Sequence, residues 1–360
     1  TELILRENGM TVNIGEFDAE MQQQKQRARN AAAIETGDWI ILKEGTSEFV
    51  GYDYTEYEVS ILRYRQIKQK NQTLYQIVLD HTPFYAESGG QAGDAGAVEN
   101  GDGLFLVGQT SKTAGGVFLH SGVMQKGLLC TGDTVTAKVD RIGRAATMRN
   151  HTAAHLLQAA LRRVLGDHVE QAGQRVTSSR MRFDFTHFSA LTGDELRKVE
   201  GLVNLWIMEG LQTVVREMPI EEAKKLGATA LFSEKYGQTV RVVNMGGYSI
   251  EFCGGTHLDN TAKVGAFQLV SEGSVASGVR RIEAYTGKAC MARMENAQAM
   301  LADAAAKLKV KPADLAGKIQ SNLDEIKELK RQIEQYKAKD ACGEVDKLLA
   351  EAKEIDGMKV

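Results

Sequence analysis

Two short stretches of the sequence contain residue types that bind metal ions. HTAAH places His151 and His155 four positions apart, and CGGTH does the same for Cys253 and His257. On a helix, residues four apart share one face with their β-carbons about 5 to 6 Å apart, so the two histidines can bind one ion. The two glycines of CGGTH allow a tight bend that brings its cysteine and histidine together. One thiolate and three imidazoles suit zinc, Zn²⁺.

The residues alone leave the purpose of these motifs open. Each pair by itself is ordinary, but two such pairs of scarce residue types favour a common metal site. A zinc protease is excluded because its signature has a glutamate directly after the first histidine, where this chain has Thr152. Four protein ligands would close the site, whereas catalytic zinc sites usually keep one position open. The ion can therefore hold the chain together or serve chemistry.

The chain before the first motif predicts one helix and then a β-rich domain. Helix-forming residues without proline or glycine run from Glu16 to Ala33. Short β-branched or aromatic runs, separated by glycine-rich turns, then extend from Trp39 to Asp140. This pattern predicts a small β-barrel or sandwich, with the barrel domain placed at 36–140.

The two motifs lie in a region that predicts an α+β domain at 141–288. Leucines and alanines at helical spacing surround HTAAH, and Gly166 is a plausible helix end. A second helix follows Thr192, a residue type that caps helix N-termini. Strand-like runs, mostly joined as hairpins, surround both helices, so the whole chain is assigned to the multidomain α+β class.

The last predicted segment, 289–360, is rich in Ala, Glu, Lys and Leu and is expected to be helical. Pro312 marks the joint between two helices. Apolar side chains then step by threes and fours along one helical face. They are Ile319, Leu323, Ile326, Leu329, Ile333 and Tyr336. We predict a helical hairpin or coiled coil, whose apolar face can also serve self-association.

Composition restricts the class of protein. The formal net charge of −3 argues against a wholly basic nucleic-acid coat but allows a local basic face. The four cysteines are far apart and too few to crosslink 360 residues, so disulfides are not expected. No apolar run approaches the roughly 20 residues of a membrane-spanning helix, and no signal peptide is recognisable, so we predict a cytoplasmic protein without a membrane partner.

Several longer stretches around the motifs resemble a known family. The editing domain of alanyl-tRNA synthetases, and of free-standing alanyl-tRNA editing proteins, is similar to HTAAHLLQAALRRVLGDHVEQAG, RFDFTHF, EEAKKLGATALFSEKYGQTVRVV and EFCGGTHLDNTAKVGAFQLVSEGSVASGVRRIEA. The stretch DHTPFYAESGGQAGDAG resembles the β-rich domain that precedes it. The N-terminal MTVNIGEFDAEMQQQKQRARNA resembles the end of the synthetase's tRNA-recognition region, which favours the synthetase over the free-standing editors.

The resemblance implies an aminoacyl-tRNA deacylase, which hydrolyses the carboxylic ester of serine or glycine on tRNA(Ala). It implies Zn²⁺ bound by His151, His155, Cys253 and His257, with the segment from Gly89 to Gln91 near that site. Residues 1–35 correspond to the helical tail of the tRNA-recognition region. Since no aminoacylation core is recognisable, we expect an internal fragment of an alanine–tRNA ligase that edits without aminoacylating.

One position departs from the family pattern, so the polar residues that would recognise the substrate have to be chosen from other positions. The family often has serine after the glycine of its Q-x-G-S stretch, where this chain has Gln174 after Gly173. Gln91 and Thr152 are our catalytic candidates, as polar side chains that could recognise the hydroxyl group of a seryl substrate. Thr152 can instead bond a carbonyl of its own helix.

Arginines near the motifs suggest contacts with tRNA phosphates, which arginine binds with two parallel hydrogen bonds. The candidates are Arg141, Arg144, Arg149, Arg162, Arg163, Arg280 and Arg281. For each single arginine, an ordinary surface ion pair is the competing interpretation. The alternative to an enzyme is a zinc-stabilised tRNA-binding module that has no hydrolytic activity of its own.

Overall fold

The computed structural model contains helices and antiparallel sheets, in agreement with the predicted α+β class. It describes residues 13–31, 35–69, 72–129, 133–229, 237–351, 354–355 and 358–359. The chain divides into two compact units, 1–290 and 291–360. Within the described ranges, no helix has both the length and the apolar character needed to cross a membrane. The finer domain boundaries stay predictions.

A six-stranded antiparallel barrel follows the first helix and confirms the predicted β-barrel. Helix α1 spans Ile14–Ala31, and the short strands are β1 (Glu35–Thr36), β2 (Ile40–Ile41), β3 (Glu48–Phe49) and β6 (His81–Thr82). The barrel strands are β4 (Glu56–Gln69), β5 (Gln72–Leu79), β7 (Gly96–Glu99), β8 (Gly103–Lys112), β9 (Phe118–Gly127) and β10 (Thr134–Val139). Their order, β4-β10-β7-β8-β9-β5, closes because β5 also pairs with β4. Closure removes exposed strand edges and encloses a core that includes Leu79, Phe84 and Phe105.

Three helices and two small sheets form the next part of the first unit. The helices are α2 (Arg141–Leu165), α3 (Gly193–Met208) and α4 (Ile220–Lys225). One sheet has the order β11-β12-β17-β16 and the other β13-β14-β15. These strands are β11 (Gln171–Val176), β12 (Met181–Thr186), β13 (Thr213–Pro219), β14 (Thr239–Met245), β15 (Ser249–Phe252), β16 (Phe267–Ala276) and β17 (Val279–Thr286). A single turn of 3-10 helix, Thr261–Val264, precedes β16.

The local sequence explains where α2 and α3 begin and end. The carboxylate of Asp140 accepts hydrogen bonds from the first free amides of α2, and the helix stops at Gly166, whose φ is 115°. Thr192 and Glu195 form a capping box at the start of α3. The middle of α2 is buried from Asn150 to Gln158, because the helix packs against α3 and the four-stranded sheet.

The C-terminal part is helical up to residue 351, as predicted. Helix α5 spans Gly287–Lys307, a 3-10 turn follows at Pro312–Asp314, and helix α6 spans Leu315–Glu351. Two short strands, β18 (Glu354–Ile355) and β19 (Met358–Lys359), pair at the end. The predicted apolar face of α6, from Ile319 to Tyr336, is exposed in the single chain. The coiled coil and self-association stay predictions.

A buried histidine makes the barrel sensitive to acid. Both ring nitrogens of His120 are hydrogen-bonded: Nδ1 lies 3.1 Å from the carbonyl oxygen of Ile77, and Nε2 lies 2.7 Å from the hydroxyl of Thr82. Since the carbonyl can only accept, Nδ1 carries the proton and the Thr82 hydroxyl donates to Nε2. Burial lowers the pKa of His120 to about 4. The folded barrel therefore prefers the neutral imidazole, whereas the unfolded chain accepts a proton near pH 6.5.

We expect His120→Gln to reduce the loss of stability at acidic pH. The contribution of the wild-type histidine is fully present above about pH 6.5 and falls by about 3 kcal/mol as the pH drops towards 4. Glutamine does not titrate, so this part of the pH dependence should disappear. Urea unfolding of both proteins at several pH values between 4 and 8 measures the difference. Parallel stability curves would contradict the expected behaviour of His120.

Candidate metal centre and adjoining cavity

The structure brings the four predicted metal ligands together. His151 and His155 project from the buried middle of α2, and Cys253 and His257 lie in the loop that follows β15. All four candidate ligand atoms lie within 4.8 Å of one another. This convergence requires α2 to pack against the loop, because more than 95 residues separate the two motifs in the sequence.

The distances within this cluster fit a tetrahedral ion. Sγ of Cys253 lies 3.6 Å from Nε2 of His151 and 3.2 Å from Nε2 of His257. Zinc bonds of about 2.0 to 2.3 Å in a tetrahedron set neighbouring ligand atoms about 3.5 Å apart. The rings of His151 and His155 have centroids 5.3 Å apart, as expected for histidines one helical turn apart. The cluster can therefore hold a metal ion, and its ligand types are those of zinc.

The electrostatics of the cluster favour a thiolate. Burial disfavours the charged form, but His151, His257 and His155 outweigh it and hold the pKa of Cys253 well below its ordinary value. Burial opposes a charged His155 too, yet Glu251 and the Cys253 thiolate raise its pKa to about 10. Burial and then His151 lower the pKa of His257 to about 3. A histidine binds a metal only through an unprotonated nitrogen, so metal binding would displace the additional proton of His155.

Neighbouring side chains orient two of the imidazoles for metal binding. The Gln91 side-chain oxygen accepts hydrogen bonds from Nδ1 of His151, at 2.7 Å, and from the backbone amide of Thr256, at 2.9 Å. Because that oxygen can only accept, Nδ1 of His151 carries the proton and Nε2 keeps its lone pair. Nδ1 of His155 lies 3.1 Å from a carboxylate oxygen of Glu251. Such partners fix the ring orientation of metal-binding histidines.

The bend of CGGTH, for which both glycines were predicted to be needed, does not require them. Neither has a left-handed φ, so the bend itself does not demand glycine. A β-carbon on Gly255 would instead lie 2.1 Å from Cε1 of His151 and 2.9 Å from the Gln91 oxygen. A β-carbon on Gly254 would meet nothing closer than the Tyr52 hydroxyl, at 3.9 Å. Glycine is required at 255 because the loop and α2 approach closely there.

Two residues that the sequence analysis missed hold the backbone of this loop in place. The Arg241 guanidinium donates to the carbonyl oxygens of Cys253 and Gly255, at 2.8 and 2.9 Å. The Tyr52 hydroxyl donates to the carbonyl oxygen of Gly254, at 2.6 Å, and the Arg241 guanidinium carbon lies 4.2 Å from the centre of the Tyr52 ring. Three consecutive carbonyls of the loop are thereby hydrogen-bonded to these two side chains.

The two polar catalytic candidates are both fully buried beside the cluster. The Gln91 amide group donates to the Thr256 hydroxyl at 2.8 Å, in addition to the bonds its oxygen accepts. The Thr152 hydroxyl accepts a bond from the backbone amide of Leu258 at 3.1 Å and lies 3.5 Å from Nδ1 of His257. Both side chains therefore contact the metal-binding loop, and their role in reading a substrate stays a prediction.

A cavity of about 120 Å³ opens on one side of the cluster. Its walls include His151, His155 and Cys253, while His257 borders a different cavity. Since a bound water needs about 10 to 15 Å³ of such volume, the cavity accommodates several waters or a small organic group. Its polar lining includes Gln158 and Glu251, neither of which the sequence analysis named. Gln158 was recognisable, because it lies three residues after His155 on the same helical face.

The predicted tRNA-binding arginines differ in their surroundings. Arg141 and Arg163 are exposed, Arg162 pairs with exposed Asp167, and Arg149 donates to the carbonyl oxygen of Lys263. Arg280 and Arg281 each make two hydrogen bonds to one carboxylate, of Glu272 and Asp184 respectively. Arg144 is buried, and each of its guanidinium nitrogens donates to Asp94 or to a backbone carbonyl. Its charge serves contacts within the protein.

Comparisons with known proteins agree with these features. The model of class II (A) tRNA synthetases matches residues 1–142, and that of the threonyl and alanyl tRNA synthetase second additional domain matches residues 240–283. The chain is 56% identical over its whole length to an alanine–tRNA ligase of Bacteroides fragilis and 54% identical to one of Bacteroides thetaiotaomicron. It is 43% identical to an alanine–tRNA ligase of Methylobacillus flagellatus over 99% of its length. The chain spans 41% of each of these relatives.

The close approach at Gly255 gives a prediction for metal binding. Gly255→Ala should weaken zinc binding by about 10- to 100-fold, because the added methyl group displaces His151 or its Gln91 partner. Gly254→Ala is the matched control and should bind zinc as the unaltered protein does, since its β-carbon makes only an ordinary contact with Tyr52. Zinc content after dialysis, and titration against a chelator, measure both. Equal affinities for the two variants would show that the close approach does not control the site.

Proposed function

The chain belongs to the alanine–tRNA ligase family, and we propose that it is a zinc-dependent aminoacyl-tRNA deacylase that hydrolyses the ester of tRNA(Ala) mischarged with serine or glycine. The observation that carries this proposal is the convergence of His151, His155, Cys253 and His257 beside a small polar cavity. The match of residues 240–283 to the second additional domain of threonyl and alanyl tRNA synthetases supports it.

The chemistry of amino-acid selection explains why such an activity is needed. A binding pocket gains only about 1 to 3 kcal/mol from one methylene group, and it rejects an added hydroxyl only weakly. A site that selects alanine therefore admits glycine and serine too often, and a second site must remove them. Serine is larger than alanine and glycine is smaller, so a size limit alone cannot separate them. The cavity must instead recognise chemical groups.

The residues around the cavity supply the binding and orientation that ester hydrolysis needs. A bound zinc ion would supply a positive charge that can polarise the ester carbonyl or hold the terminal ribose. Gln91 keeps His151 in the tautomer with its Nε2 lone pair available, and Glu251 positions His155. The Cys253 thiolate is surrounded by imidazoles and serves as a ligand, so we do not assign it the role of nucleophile.

The proposed tRNA surface consists of arginines on and around α2. Their side chains do not donate all their hydrogen bonds to buried groups. Arg141, Arg162 and Arg163 are the main candidates, since they are exposed or pair only with an exposed carboxylate. Arg149, Arg280 and Arg281 would have to share or exchange their present partners. Arg144 is left out because its buried donors are occupied. Phosphate contacts of this kind make binding salt-dependent and insensitive to sequence.

The deacylation assay tests this proposal directly. We expect the zinc-loaded protein to release serine and glycine from tRNA(Ala) faster than alanine, and we expect removal of zinc with a chelator to abolish the difference. The measurement follows labelled amino acid remaining on Ser-, Gly- and Ala-tRNA(Ala) over time. Cys253→Ala is the control that removes a ligand. A protein that binds both zinc and tRNA but releases no amino acid would instead be the tRNA-binding module.

Variants of the two buried polar residues separate an enzyme from a binding module. Gln91→Met and Thr152→Val keep the side-chain volumes while they remove the hydrogen bonds to His151 and Leu258. At zinc concentrations that saturate the site, an enzyme should lose turnover by about tenfold or more, whereas affinity for uncharged tRNA should not change. Rate and tRNA affinity are measured on the same preparations. Full turnover in both variants would refute a catalytic role for these residues.

A further inference from the structure

Gln158 continues the helical face that carries the two histidine ligands. It lies seven residues after His151 and three after His155, so its side chain emerges on the same side of α2. It forms part of the wall of the cavity that contacts the cluster. It also borders the neighbouring groove of about 330 Å³, together with Thr229 and Glu251. Gln158 therefore lies where this groove meets the metal-side cavity.

No hydrogen bond joins the Gln158 amide to another described residue, and the amide keeps contact with solvent although the residue as a whole is buried. Only 4% of the residue is exposed. Two other polar side chains of the wall are occupied: Gln174 donates to the carbonyl oxygen of Gly89, and the Tyr85 hydroxyl donates to that of Ser88. The amide of Gln171 also lines the cavity, but this residue is less buried than Gln158. Leaving a buried polar group unpaired costs about 1 to 3 kcal/mol, so such groups normally face water or a ligand. The Gln158 amide faces the cavity and is free to bind what enters it.

An amide matches a hydroxyl group better than it matches the other parts of an aminoacyl ester. It has both a donor and an acceptor, and a hydroxyl likewise donates and accepts. The α-ammonium group of the amino acid only donates and carries a charge, and the Glu251 carboxylate in the same wall suits it better. The methyl group of alanine offers Gln158 no hydrogen bond.

We propose that Gln158 determines the specificity of the cavity by binding the side-chain hydroxyl of a seryl ester and by disfavouring an alanyl ester. This inference rests on the proposed deacylase function. A bound serine pairs the amide, and a bound glycine leaves room for a water molecule that pairs it. A bound alanine places its methyl group where that water would lie, and the buried amide then loses its partner. Gln158 thus accepts residues both larger and smaller than alanine.

The decisive experiment replaces the amide with an apolar group of the same length. We compare the unaltered protein, Gln158→Met and the control Gln109→Met, which makes the same exchange at an exposed position of β8 away from the cavity. The values of kcat/KM are measured for Ser-, Gly- and Ala-tRNA(Ala), together with zinc content and melting temperature. Gln158→Leu provides a second apolar variant if the methionine protein does not fold.

Gln158→Met should hydrolyse the seryl ester more slowly, the alanyl ester faster and the glycyl ester at the original rate. The preference for serine over alanine should fall by at least about tenfold, while Gln109→Met keeps it. Zinc content should not change.

Three other results would overturn the inference. An unchanged ratio of serine to alanine hydrolysis would show that Gln158 does not read the side chain. An equal loss for all three esters would show that it binds the common α-amino group or only supports the fold. If the unaltered protein releases none of the amino acids, the proposed function fails and this inference fails with it. If the unaltered protein releases serine and Gln158→Met keeps the same ratio of serine to alanine hydrolysis, only this inference is refuted and the proposed function stands.

Discussion

The hydrogen bonds of one buried amide hold the parts of the metal site in register. Gln91 comes from the segment between β6 and β7 and contacts both His151 on α2 and Thr256 in the loop after β15. It fixes the tautomer of the histidine and the position of the loop at the same time. Because Gly255 has no side chain, the loop can approach α2 closely enough for these bonds to form. The ligands therefore converge only when three distant segments of the chain are folded together.

A buried ion pair joins the same segments farther from the cluster. Arg144, near the start of α2, donates to Asp94, whose carboxylate also accepts from the backbone amide of Tyr85. Removing one partner of such a pair would leave an uncompensated buried charge and cost about 3 to 5 kcal/mol. The pair places the barrel segment that carries Gln91 beside the helix that carries His151. The barrel is thus part of the candidate metal site, although it contains none of the four candidate ligands.

Local sequence signals predicted the helices and most barrel strands, since caps, glycines and alternation act over a few residues. As predicted, one helix begins after Thr192 and the other ends at Gly166. The order of the strands was harder to predict, because β12 pairs with β17, which lies far along the chain. The four ligands were found because each pair is close in sequence. Contacts such as that of Tyr52 with Gly254, 202 residues apart, leave no local signal.

A metal ion that is bound by four protein ligands has no free position for a substrate, so it would contribute little to selectivity. Four protein ligands favour an ion that is held firmly, and the cavity meets the cluster only on the side of His151, His155 and Cys253. Glycine, alanine and serine share the ester, the ribose and the α-amino group, and they differ only at the β-carbon. An ion that interacts with the shared groups cannot distinguish them. Under the proposed function, discrimination must therefore come from the cavity wall, where the Gln158 amide would penalise the one side chain that can neither pair with it nor leave space for water.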